Sequence, residues 1–169
     1  MKKRQKTKPH HNHQKWRLEH QAAQRLLHHL SQRTPHLRYH LGPHREAPDY
    51  ELRVLSGPFS WFFVGLEITH LYGSKLDAAL LNGSLRPPNG TDEQSTLEDH
   101  MARLQLIIRE KNDKFTNYEI KPCWLLIHNA DQQIQHADWQ HYLADKDFSA
   151  SPFEKIWLIT DRQQLINIK

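Results

Sequence analysis

Residues 49–69 place the tightest limit on how this chain can fold. Two β-rich runs, each carrying a carboxylate, are joined by turn residues. The first reads Asp49-Tyr50-Glu51-Leu52-Arg53-Val54-Leu55, the turn is Ser56-Gly57-Pro58, and the second reads Trp61-Phe62-Phe63-Val64-Gly65-Leu66-Glu67-Ile68-Thr69. This punctuation predicts neighbouring antiparallel strands. Glu67 is flanked by Leu66 and Ile68 in a run whose composition predicts burial on at least one face. A carboxylate buried there without a partner is costly, so the fold must bring it a cation or a metal ion.

The chain has 169 residues, 37% hydrophobic and 25% charged, enough for one ordinary core and too little for two. A single domain over residues 15–169 is expected, preceded by a basic, His-rich, disordered tail over residues 1–14. The formal charge of +4 is concentrated in that tail, where Lys2, Lys3, Arg4, Lys6 and Lys8 have no acid among them. The rest of the chain is close to neutral. Such a tail attracts phosphate without specificity or acts as a solubilising arm.

Cys123 is the one cysteine and cannot form an internal disulfide; beside a strand-like run it reads as a small buried side chain. A reducing compartment fits, and neither a signal peptide nor a membrane-length apolar run is present, so a soluble cytoplasmic protein is expected. Fourteen histidines cluster at His10, His11 and His13, at His28 and His29, and at His36, His40 and His44. One cysteine excludes thiolate-rich zinc sites and no H-E-x-x-H pattern occurs, so these histidines are expected on solvated surface.

In chain order, a helix is predicted from Lys15 to Ser31, ending near Thr34-Pro35. Its apolar face is Trp16, Ala23, Leu26, Leu27 and Leu30, and Glu19 falls on that face. Glu19 there either snorkels from the edge of the stripe or has a functional role. A short strand over 36–41 and a loop over 42–48 lead to Asp49. Residues 73–95 read as a mobile connection rich in turn residues. Ser95 or Thr96 then caps a helix reaching Thr116 or Tyr118, with a core stripe of Leu97, Met101, Leu104, Ile108 and Phe115. The stepping calls for an apolar residue at 111, where the chain has lysine. Lys111 must meet a carboxylate, a phosphate or a path to solvent. Buried strands are predicted at 123–128 and 156–160, a polar helical segment at 131–145 between them, and a last strand at 165–168. The fold class is α/β, one mixed sheet flanked by helices.

The order of a helix with an inward glutamate, a strand opening Pro48-Asp49, a strand with Glu67-x-Thr69, a long helix and a Trp124-Leu125-Leu126-Ile127 strand resembles the PD-(D/E)xK restriction-endonuclease-like nuclease superfamily. The resemblance spans about Lys15 to Thr160. It implies that Asp49 and Glu67 ligate Mg2+ or Mn2+, and Glu19 matches a helix glutamate that some members add as a further ligand. The usual lysine of the third motif position is replaced by Thr69, which would assist only by hydrogen bonding. Some members supply that lysine from the following helix, and Lys111 occupies such a position. The implied activity is hydrolysis of nucleic-acid phosphodiester bonds, DNA ahead of RNA, by a possible homodimer, with Arg103 and Arg109 as candidate phosphate contacts. The alternative is a domain of the same fold that has lost catalysis and binds nucleic acid or protein.

Overall fold

In the computed structural model the described residues are 9–57, 62–72, 96–130 and 134–169. They form the helices α1 (Pro9–Arg33), α2 (Leu97–Lys114) and α3 (His136–Leu143) and the strands β1 (Tyr39–Leu41), β2 (Tyr50–Val54), β3 (Phe63–Leu71), β4 (Cys123–Asn129), β5 (Lys155–Ile159) and β6 (Leu165–Asn167). The six strands make one mixed sheet in sequence order. β1, β2 and β3 run antiparallel, β3, β4 and β5 parallel, and β6 closes the far edge antiparallel to β5. The expected α/β class with one mixed sheet is thus present.

Strand alternation divides the interior into two cores. On one face Leu52, Leu66, Ile68, Leu126 and Trp157 meet Ala22, Ala23, Leu26 and Leu30 of α1. On the other, Cys123, Leu125, Ile127 and Leu158 meet Met101, Leu104 and Ile108 of α2 and Trp139 of α3. Even positions of β3 therefore face α1, and Glu67, Thr69 and Leu71 face α2. Removing a fully buried side chain such as Phe153 from such a core costs about 3–5 kcal/mol.

Helix α2 begins as its sequence predicts. Thr96 Oγ1 accepts the Asp99 N–H at 3.2 Å, and Asp99 Oδ2 accepts the Thr96 N–H at 2.9 Å, a reciprocal capping box that satisfies two donors at the helix start. The first residue of each predicted helical stripe departs from expectation. Trp16 and Leu97 are each 41% exposed, although the spacing of both fits an apolar stripe. Helix α1 begins at Pro9, six residues before the predicted start, so residues 9–14 of the expected disordered tail are helical. Residues 1–8, residues 58–61 at the end of the predicted turn and the start of the second run, the connection expected over 73–95 and the first residues of the predicted polar helix at 131–133 lie outside the described residues. The remainder of that segment forms α3 from His136 rather than from Asp131. Among the described residues, no helix is long and apolar enough to cross a membrane.

Candidate metal centre

Three buried carboxylates come from three separate elements. Glu19 on α1 is 1% exposed, Asp49 at the entry to β2 is 5% exposed, and Glu67 in β3 is 6% exposed. The helical stripe of α1 turns Glu19 toward the sheet with Ala22, Ala23 and Leu26. The loop before β2 is folded back on itself by Gly42 N–H to Glu51 O at 2.8 Å and Arg45 N–H to Asp49 O at 2.7 Å. This closure brings His44 to the carboxylates. Its Nε2 lies 3.0 Å from Glu19 Oε2 and 3.9 Å from Asp49 Oδ1, and its ring meets Tyr50 edge-on at 5.2 Å between centroids. Since Glu19 can only accept, the His44 Nε2 contact is an N–H donated to a carboxylate.

Asp49 is fixed from the other side by β3, whose Ile68 N–H donates to Oδ2 at 2.7 Å. Burial, then the charges of Glu67 and Glu19, push the Asp49 carboxyl up to about 7. The cluster thus resists holding all its charge at once. Two ammonium groups offset it in part. Lys15, one turn before Glu19, reaches Oε1 at 3.2 Å; burial lowers its pKa, but Glu19, with help from Asp49 and Glu67, outweighs that and raises it. Lys111 donates to Glu67 Oε1 at 2.5 Å from the buried stripe of α2. That stripe position and the buried strand glutamate, each of which demands a partner from sequence alone, are partners of one another.

Glu67 Oε2 is buried and has no hydrogen bond. The Tyr118 hydroxyl lies against this carboxylate but outside hydrogen-bonding geometry, and burial followed by the Glu67 charge raises its pKa well above the usual phenol range. Burial and then Glu67 also push the Cys123 thiol up to about 12, so it is a packed, unreactive side chain, as expected. Thr69 lies one pleat beyond Glu67 on the same face, opposite Ile127 of β4. Arg103 donates to Tyr72 O at 3.0 Å and so ties α2 to the end of β3, whereas Arg109 is exposed.

Ligand atoms of Glu19, His44 and Asp49 all lie within 4.8 Å of one another, a group able to hold a metal ion. Two of the three expected ligands are in it; Glu67, paired with Lys111, is not a member. His44 is a residue that sequence reasoning assigned to solvated surface. Its signal was its place five residues before Asp49 on the loop that delivers that carboxylate. The group opens onto a cleft of about 750 Å³ lined by His13, Lys15, Trp16, Glu19, His44, Arg45, Glu46 and Asp49. On its rim Trp16 is flanked by His13 and His20, with ring centroids 5.7 and 5.9 Å away.

His44 itself is exposed, as expected of its cluster, whereas three histidines outside the named clusters are buried or half-buried. His100 is fully buried and its Nδ1 lies 2.9 Å from Thr96 O. His70 and His128 meet across β3 and β4 at 5.3 Å, and burial above all lowers them to about 3 and about 4, so both are neutral. Comparison with protein-family models, curated proteins and solved structures found no match to this chain.

Proposed function

We propose that this protein is a divalent-metal-dependent phosphodiesterase acting on nucleic acid, a nuclease of the PD-(D/E)xK kind. The observation that carries the reading is the group of Glu19, His44 and Asp49, whose ligand atoms lie within 4.8 Å of one another, with the charge of buried Glu67 bearing on Asp49 from β3 and, among the described residues, Lys15 and Lys111 as ammonium partners. Burying three acids from separate elements costs stability that a fold does not spend on packing. The element order behind the resemblance, with α1 and α2 on opposite faces of the sheet, is consistent with it.

Glu19, His44 and Asp49 would hold the ion, and Glu67 stands next to Asp49 as a further oxygen donor once Lys111 releases it. Imidazole in the donor set moves the preference from Mg2+ toward transition ions, and among these Mn2+ suits a carboxylate-rich site. When bound, such an ion supplies Lewis acidity toward a phosphate oxygen and acidifies a water molecule. Lys111 would lend its charge to the phosphate as negative charge builds there. Thr69 could add only a hydrogen bond. Trp16 with His13 and His20 makes an aromatic rim on which a nucleobase can stack.

The ion pairs that hold Glu67 on Lys111 and Glu19 on Lys15 favour a second reading, in which the acids are structural and the domain only binds nucleic acid or protein. Calorimetry with Mn2+ and Mg2+ on the wild type, Asp49→Ala and Glu67→Ala, with plasmid and single-stranded DNA cleavage on the same preparations, separates the two. Metal binding and cleavage lost together in folded variants support the nuclease. Absence of metal binding by the wild type at millimolar concentration refutes it.

A further inference from the structure

A second cleft, of about 670 Å³, opens on the other half of α1. One wall is Gln24, Arg25 and His28; the other is His136 at the start of α3 and the Arg162–Gln164 turn. It lies beside the carboxyl ends of the parallel strands, because Arg25 Nη1 reaches His128 Nε2 of β4 at 3.0 Å and His136 Nδ1 reaches Thr160 Oγ1, just past β5, at 2.7 Å. In open α/β sheets that end of the strands is where ligands bind. From Glu19 to Arg25 is six residues, about 9 Å along the helix axis, so this cleft is separate from the carboxylate site.

Its chemistry is the reverse of that site. The described lining residues include two arginines, three histidines and four glutamines, and no carboxylate. Arg25 can only donate, so His128 accepts with Nε2 and carries its proton on Nδ1. One contact of the Arg25 fork is thereby fixed, which orients a guanidinium that has further N–H donors to give. Positive charge also shapes the neighbouring rings: burial and then Arg25 lower His128, and burial followed by Arg33 and His28 lowers His29.

We propose that this cleft is an anion site for a phosphate group, with Arg25 and Arg162 as its charged contacts and Gln24, Gln164 and His136 as further donors. The group belongs either to a nucleic-acid strand or to a free phosphate or phosphomonoester. The site does not depend on metal binding or catalysis in the carboxylate cleft.

The test is calorimetry of the full-length protein with inorganic phosphate at constant ionic strength. Gln24 is exposed on a helix, so Gln24→Glu and Gln24→Lys preserve the fold while placing opposite charges at the cleft. Saturable millimolar binding is expected. It should weaken at least about tenfold, or ~1.4 kcal/mol, in Gln24→Glu and in Arg25→Gln, and persist in Gln24→Lys and in Glu19→Ala. Short single-stranded oligonucleotides with and without a 5′-phosphate identify the source. Equal binding of both, each weakened by Gln24→Glu, assigns the site to the strand backbone; binding of the phosphorylated form alone assigns it to a terminal or free phosphate. No saturable binding by the wild type, or affinity unchanged in both Gln24→Glu and Arg25→Gln, overturns the proposal.

Discussion

Asp49→Asn is expected to stabilise the metal-free protein at pH 8, although it alters a residue placed at the centre of the candidate site. Burial, followed by Glu67 and Glu19, raises the Asp49 carboxyl from 3.8 to about 7 in the folded protein. Three pKa units at about 1.4 kcal/mol each amount to ~4 kcal/mol, the upper limit of the effect. The sign is opposite to that of a salt-bridged aspartate. Between about pH 4 and pH 7 the unfolded chain has lost this proton and the folded chain keeps it, so stability falls as pH rises through that window and levels off above it. Asparagine keeps an oxygen for the Ile68 N–H and offers an amide to the neighbouring carboxylates, so the cost disappears with the charge. Urea unfolding of wild type and variant across this pH range measures the difference directly. The two stability curves should diverge by a few kcal/mol toward pH 8, variant above wild type, and saturating Mn2+ should reverse their order because the ion stabilises only the chain that binds it. Parallel curves, or a wild type that is the more stable of the two at pH 8 without metal, would refute the cost assigned to burying the Asp49 charge beside Glu67 and Glu19.

Lys111→Ala should lower stability by about 3 kcal/mol by leaving Glu67 buried without its cation, and adding Glu67→Gln should recover much of the loss. Denaturant midpoints of the two single variants and the double variant measure this. Gly65→Ala should cost about 1–3 kcal/mol, since its Cβ would stand 2.7 Å from Pro48 Cγ and 2.9 Å from Ile120 O. Because Pro48 precedes Asp49, the same substitution should weaken Mn2+ binding in calorimetry, whereas an overpacked residue remote from the site would not. His44→Ala should reduce Mn2+ affinity at least about tenfold with a smaller effect on Mg2+, in keeping with the preference of imidazole for transition ions.

The parts of this structure that were legible in the sequence are those that composition and period encode. The apolar, aromatic run of β3 marked Glu67 as buried, and the 3.6-residue period of α2 put a lysine where an apolar side chain was due. Neither pattern says which element answers which, yet a buried anion and a buried cation in one small core have few other solutions. Period also gives direction without extent, which is why Trp16 and Leu97 fit their stripes and still face solvent. His70 and His128 obey it too, sharing faces with Ile68 and Leu126, and His128 stands in the buried strand expected over 123–128.

His44 was hidden for a different reason. Its position follows from two backbone hydrogen bonds that close the loop over residues 42–51, and loop closure leaves no repeating mark on the sequence. A catalytic or metal centre is the place where residues from unrelated elements converge, so its members are individually ordinary. What singles them out is cost. Glu19, Glu67 and Lys111 were each found by asking what would satisfy a charge on an apolar face, and Asp49 by its place at the opening of a strand, whereas a loop histidine, cheap to leave in water, raises no such question. Sequence reasoning of this kind therefore recovers the charged half of a site before its neutral half. The cleft lined by Arg25, His136 and Gln164 is the corresponding case on the other half of α1: its residues are polar, tolerable in solvent and spread over three elements, and only their assembly around one space gives them a shared chemistry.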